Sequence, residues 1–323
     1  MINWGIIGCG DVTEVKSGPA FNKVNNSSLV AVMRRDTSKA KDYAERHKVP
    51  KWYNDANALI NDPDVNAIYI ATPPSSHEEY TIAALNAGKP VYVEKPMTIN
   101  VESAQRMAAA SEQNNVKLVV AHYRREQPMF KKIKALLDEK IIGDIRFVKL
   151  DYYKRSLTQE ELQVPKNKWR VDPSIAGGGL FYDLAPHQLD LMYYFFGESK
   201  EINGIAINQQ KIYNAEDIIC GNILFKNDIL FNGIWSFNLE QHHEKDNIEI
   251  VGSKGTIQFA VFGEPKIMLT VDGKKENFLF DKLPHVQQPM IQKVVDYFLD
   301  KGRNPCTAHE GVKVMEMMER LSK

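Results

Sequence analysis

Three groups of residues in this chain have the types and spacings that hydride-transfer chemistry needs. Gly8-Cys9-Gly10 ends the first apolar run, Glu94-Lys95-Pro96 ends a later one, and Asp183 and His187 follow Gly177-Gly178-Gly179. A Gly-x-Gly turn after a strand lets the backbone approach a pyrophosphate, which then lies where the next helix begins, here at Asp11 and Val12. A lysine at the carboxyl end of a strand, constrained by a following proline, can hydrogen-bond a substrate hydroxyl and stabilise negative charge as hydride leaves the carbon. Positions i and i+4 share a helix face, and imidazole suits proton transfer near neutral pH, an effect of about 10²–10⁴-fold. Each group also has a plainer reading: a glycine turn in another βα unit, a solvated lysine, and an Asp183 that caps a helix with Pro186 in its first turn. Their coincidence in one chain is what points to hydride transfer.

Elements that can hold such groups are legible around them. Trp4–Ile7, Leu29–Met33, Ala67–Ala71, Val91–Glu94 and Lys117–Ala121 read as strands apolar on both faces, as strands buried between helix layers are. Helical patterns alternate with them at Thr37–His47, Asp55–Asn61, Ser76–Ala87 and from an Asn100 cap to Asn114, which predicts a parallel, doubly wound sheet. A helix over Pro128–Lys140 follows, then a strand-rich half with strands near 145–153, 202–213, 217–225, 229–239, 246–251, 256–260 and 266–271. Short turns between consecutive strands predict a large, mainly antiparallel open sheet. One long helix, Leu184–Phe196, interrupts it, and helices near 287–301 and 309–321 close the chain. We therefore expect an α/β protein with a dinucleotide-binding domain over 1–122 and a substrate and oligomerisation domain over 123–323, the terminal helix free to pack back on the first.

The cofactor follows from the end of the second strand. An NAD site places an acid there for the ribose 2′-hydroxyl, whereas an NADP site places an arginine near the 2′-phosphate. Here Met33 is followed by Arg34 and Arg35, with Asp36 only after them. Charge-assisted hydrogen bonds from Arg34 to a phosphate are worth about 1.5–3 kcal/mol. NADP is the expected cofactor, with NAD the alternative if Arg34 and Arg35 face solvent. The loop Thr72-Pro73-Pro74, running on to His77, lies at a carboxyl strand end where a ribose or phosphate would rest, and Glu94 and Lys95 belong to the same group of cofactor contacts.

Composition excludes several other classes. Lys plus Arg (41) equals Asp plus Glu (41), so no global charge favours nucleic acid or an anionic membrane. Cys9, Cys220 and Cys306 are far apart and odd in number, which fits a reducing cytoplasm better than a disulfide framework. No apolar run approaches the ~18 residues of a membrane span, and the N-terminus, without basic residues, reads as a strand and not a signal peptide. His242-His243-Glu244 reads as a polar strand end whose residues face opposite sides, so no metal site is expected. Met315, Met317 and Met318 read as the buried face of a terminal helix.

Taken together, Gly8-Cys9-Gly10, Glu94-Lys95-Pro96, Trp169-Arg170, Gly177-Gly178-Gly179, Asp183, His187 and Asp190 resemble the glucose–fructose oxidoreductase/inositol dehydrogenase (Gfo/Idh/MocA) family along essentially the whole chain. The resemblance implies a Rossmann domain followed by an α/β domain whose open sheet makes a homodimer or homotetramer. It also implies NAD(P)-dependent interconversion of a hydroxyl and a carbonyl on a sugar, cyclitol or related small polar molecule. Carried over, Lys95 is the catalytic lysine, His187 the general acid/base and Asp183 its partner. Tyr123, Arg124, Trp169 and Arg170 fall at positions that resemble substrate or cofactor contacts. Thr13 departs from the family's glycine loop, and Arg34 stands where many members carry an acid. Two other readings remain open. One is a trans-dihydrodiol dehydrogenase acting on an aromatic diol, with Tyr152, Tyr153, Trp169 and Tyr182 as an aromatic lining; the other is a non-catalytic nucleotide-binding sensor.

Overall fold

The computed structural model describes residues 1–323. In chain order the first half runs β1 (Ile2–Ile7), α1 (Asp11–Val15), β2 (Ser27–Met33), α2 (Thr37–His47), β3 (Lys51–Tyr53), α3 (Ala56–Ile60), β4 (Ala67–Ile70), α4 (His77–Asn86), β5 (Val91–Val93), α5 (Val101–Asn114) and β6 (Leu118–Val120). Then come α6 (Pro128–Asp138), β7 (Ile145–Arg155), three short helices α7 (Gln159–Gln163), α8 (Pro165–Lys168) and α9 (Pro173–Ala176), and the long α10 (Gly179–Phe196). Strands β8 (Ser199–Ile207), β9 (Ile218–Phe225), β10 (Leu230–Leu239), β11 (Lys245–Gly252), β12 (Gly255–Phe259), β13 (Lys266–Val271) and β14 (Lys274–Leu279) follow, and α11 (Gln288–Phe298) and α12 (Ala308–Leu321) end the chain.

Contacts divide these elements into two units. The first comprises Met1–Arg124 with Leu283–Val312, the second Arg125–Lys282 with Lys313–Lys323. The second segment of the first unit, Leu283–Val312, includes α11.

The first unit is built on a six-stranded parallel sheet ordered β3-β2-β1-β4-β5-β6. Order reverses between β1 and β4, the switch point at which such sheets bind nucleotides. Strands β4, β5 and β6 are buried along their whole length, the reason their sequences carry no polar face. Helix starts follow local chemistry: Asp36, Asp55 and Asn100 accept the backbone N–H groups of Lys39, Ala58 and Ser103. Each such cap is worth about 1 kcal/mol.

The second unit holds an eight-stranded sheet ordered β14-β13-β12-β11-β7-β10-β9-β8. Every pair is antiparallel except β7 with β10 at its centre. One face is apolar and carries α10: Phe181 meets Trp235 at 5.2 Å, Phe196 meets Phe225 at 5.5 Å, and the Trp235 indole donates to Gln188 at 2.7 Å. Two expectations need correction. The strand predicted over 202–213 ends at Ile207, because the Asp217 carboxylate takes the N–H groups of Gln209 and Gln210 at 2.9 and 2.8 Å and turns the chain. His242 and His243 lie in a 3-10 turn and not on a strand, and no three His, Cys, Asp or Glu residues gather as a metal site. Met315, Met317 and Met318 are buried, as the helical pattern predicts.

Candidate functional site

In the first unit the chain after β1 meets the chain after β4. Gly8 has φ +94°, and a Cβ there would fall 2.7–2.9 Å from Thr72 and Ala71, so only glycine makes this turn without strain. The N–H groups of Gly8 and Cys9 both donate to the Met33 carbonyl, at 2.9 and 3.2 Å, which joins the turn to the end of β2. A Cβ on Gly10 would find only the Gly8 carbonyl, at 3.9 Å, so the backbone there is open to a close-approaching group such as a pyrophosphate. Thr13, fully buried, replaces the expected third glycine. Its hydroxyl donates to the Gly10 carbonyl at 2.8 Å and its own carbonyl accepts the Tyr43 hydroxyl at 2.8 Å, so hydrogen bonds tie Thr13 to the glycine turn and to α2. Burial pushes the Cys9 thiol up to about 11, against the pull of Arg34, which keeps it a neutral packing group.

Arg34 is half-buried, and its guanidinium donates to the Cys9 carbonyl at 3.3 Å, beside the glycine turn. Arg35 is exposed. Asp36 is engaged as the α2 cap and accepts the Ser38 hydroxyl at 2.6 Å, so the first acid after β2 serves the helix. The glycine turn and Arg34 thus fit a dinucleotide: open backbone for the pyrophosphate and a guanidinium in reach of the same turn.

Two residues grouped with the cofactor contacts have other work. His77 is buried (1% exposed), with Nε2 2.8 Å from the Thr72 carbonyl and Nδ1 3.1 and 3.3 Å from the Pro96 and Met97 carbonyls. It ties the Thr72-Pro73-Pro74 loop to the Lys95-Pro96 loop, and burial holds its pKa below the usual histidine range, with the carbonyls pulling the other way. Glu94 is buried (5% exposed) and accepts the Tyr69 hydroxyl and the Gln287 side-chain amide, both at 2.5 Å, and the Lys95 N–H at 3.2 Å. The Tyr92 hydroxyl donates to Gln287 at 3.0 Å. Both residues therefore brace the loops on which they stand. Lys95 itself is part-exposed at the carboxyl end of β5, joined to Pro96 by a cis peptide bond. Gln287 escaped sequence reasoning because a single glutamine nearly 200 positions away carries no local signal.

In the second unit Asp183 lies inside α10, which begins at Gly179, so the alternative that Asp183 is the N-cap falls. Asp183, His187 and Asp190 consequently share a helix face. The Arg170 guanidinium lies 3.1 Å from the Asp183 carboxylate and 4.9 Å over the Trp169 ring, which brings Trp169-Arg170 to the Asp-x-x-x-His pair. His187 is buried, its ring 5.4 Å from Phe262 at 78°, an edge-to-face contact. Asp190 pairs with Arg125 through Nε at 2.9 Å and Nη2 at 2.6 Å, and both side chains are almost fully enclosed. Arg125 was missed; its neighbour Arg124, which the sequence singled out, lies 5.7 Å over the Tyr123 ring.

Comparisons with known proteins agree with this architecture. Residues 2–122 match the model described as an oxidoreductase family with NAD-binding Rossmann fold, and residues 130–258 match the GFO/IDH/MocA C-terminal domain. The chain is 45% identical to "Oxidoreductase P35" of Formosa agariphila across 98% of this chain and 97% of that protein. It is 27% identical to a trans-1,2-dihydrobenzene-1,2-diol dehydrogenase of Xenopus tropicalis over 89% of this chain and 83% of that one. The solved structure of levoglucosan dehydrogenase with NADH and levoglucosan superposes with a TM-score of 0.87 at 21% identity, covering 99% of this chain and 96% of that chain.

Proposed function

This chain belongs to the Gfo/Idh/MocA family of oxidoreductases, and we propose that it uses NADP to interconvert a hydroxyl and a carbonyl on a sugar, cyclitol or related small polar molecule. The observation that carries this reading is the α10 face on which Asp183, met by Arg170, stands one turn before the buried His187. Gly8, Gly10, Asp11, Val12 and the Thr72-Pro73-Pro74 loop would hold the dinucleotide, with Arg34 on the 2′-phosphate. When bound, the nicotinamide takes up or gives the hydride. In the oxidative direction His187 accepts the hydroxyl proton and later passes it to water. We assign to the Lys95 ammonium the stabilisation of negative charge as hydride leaves the carbon. Asp183 keeps a negative charge on the His187 face and favours the imidazolium that forms.

Two measurements test this. Titration with NADPH and NADH should show NADPH tighter by at least ~10-fold, with Arg34→Ala erasing the difference; equal affinities in the unaltered protein would overturn the NADP assignment. Lys95→Ala should keep nucleotide binding yet lower turnover at least ~10²-fold in a panel of inositols, hexoses and aromatic trans-diols. Normal turnover would remove Lys95 from the mechanism. A second reading, oxidation of an aromatic diol, is favoured by the Xenopus relative and by the Tyr152 and Phe262 rings gathered near His187. Preference within the panel decides between them. The uncovered face of the large sheet, where Phe147, Ile205, Ile207 and Leu230 are exposed, is the surface we assign to a homo-oligomer. Three free cysteines suit a cytoplasmic location.

A further inference from the structure

We propose that Asp246 is a positioning residue for His187, acting through Phe262; this deepens the reading of His187 as the proton-transfer group. Asp246 lies on β11, opposite Tyr152 of β7 in the register. Its carboxylate accepts three successive backbone N–H groups from the segment after β12: Val261 at 3.1 Å, Phe262 at 2.6 Å and Gly263 at 3.1 Å. Three adjacent amides converging on one carboxylate fix the direction of the chain at Phe262, and hence where its ring points. That ring lies edge-to-face with His187 at 5.4 Å and 78°, and 5.3 Å from Tyr152.

A clamp is needed here because packing does not hold the segment on every side. A cavity of about 260 Å³ borders it, with Tyr152, Asp246, Phe262 and Gly263 in its wall. On the side facing this solvent-open cleft the segment has no packed protein neighbours to fix it. Without the carboxylate, the segment is free to relax into that space and carry Phe262 away from the imidazole. An edge-to-face aromatic contact favours one ring orientation over the others, so this hold on the His187 ring would weaken. The consequence for proton transfer is a matter of placement, where small displacements cost large factors in rate.

The test reads the imidazole directly and needs no substrate. The ring carbon–proton correlations of the eight histidines are recorded by NMR, and the His187 signal is identified by its loss in His187→Gln. Phe262→Leu should move the His187 signal by removing the ring current of its neighbour. Asp246→Ala should move it in the same direction, Asp246→Asn by less, while the His77 and His122 signals stay in place. A His187 signal unmoved by Asp246→Ala, or moved in the opposite direction, overturns the proposal, as does one that Phe262→Leu leaves unchanged. If the alanine variant fails to fold, the asparagine and leucine variants decide on the same criterion. Full turnover in His187→Gln would instead sink the proton-transfer role of His187 and leave the clamp standing, so the two failures are distinguishable.

Discussion

Gln287→Leu should destabilise the first unit well beyond what the loss of one surface hydrogen bond would. Gln287 is fully buried, and its amide bridges two groups that have no access to water: it donates to the Glu94 carboxylate at 2.5 Å and accepts from the Tyr92 hydroxyl at 3.0 Å. Leucine has a similar volume, so the substitution leaves little cavity and isolates the polar term. A hydrogen bond to a charged group contributes about 1.5–3 kcal/mol, and stranding the Tyr92 hydroxyl adds about 1–3 kcal/mol. The two terms together give about 2.5–6 kcal/mol, and the Tyr69 hydroxyl, already 2.5 Å from Glu94, compensates in part, so we expect a loss of about 3–5 kcal/mol. At about 2–4 °C per kcal/mol for a unit of 150–250 residues, the thermal transition should fall by about 6–20 °C. Differential scanning calorimetry of the purified variant measures it. The double variant Glu94→Gln/Gln287→Leu should lose less than the two singles added together, since they share one hydrogen bond. A transition within ~2 °C of the unaltered protein, or strictly additive losses, would show that the buried network is not holding Glu94.

Other perturbations separate structural from chemical roles. Asp190→Ala should remove the buried carboxylate that pairs with Arg125 and cost about 3–5 kcal/mol, read from urea denaturation followed by fluorescence. An effect below ~1 kcal/mol would mean that water reaches the pair. Glu14 is held down to about 2 by its hydrogen bonds to Arg46, against a burial effect in the other direction, with His47 adding to the lowering. Its folded pKa is depressed, so its contribution is fully present above the ordinary carboxylate range and is lost as pH falls from about 4.5 toward about 2. Glu14→Gln should therefore lower Tm at pH 7, with the gap to the unaltered protein closing across that window. A gap independent of pH would refute the linkage.

What could be read in the sequence was local. The strands β1, β2, β4, β5 and β6 announce themselves because strands covered on both sides by helices must be apolar throughout. The helix starts at Asp36, Asp55 and Asn100 are written in side chains that reach only two or three residues ahead. The short α7 was legible too, through Thr158-x-x-Glu161, a capping box that the sequence reading passed over. By contrast β14 was not predicted: its Lys274-Lys275-Glu276 stretch is exposed on the sheet edge, where charge discourages further pairing and hides the strand's alternation.

By itself the sequence determined the fold class, the family and the glycine turn, because each depends on residues and their near neighbours. Tertiary structure alone decided that Gln287 holds Glu94, that Arg125 holds Asp190, that Arg170 meets Asp183 and that Asp246 clamps the segment carrying Phe262. It also set the His77 ring among the Thr72, Pro96 and Met97 carbonyls. The physical reason is that a buried polar group must find a partner wherever the folded chain supplies one. Positions 13 to 193 residues away along the sequence become partners only once packing has excluded water.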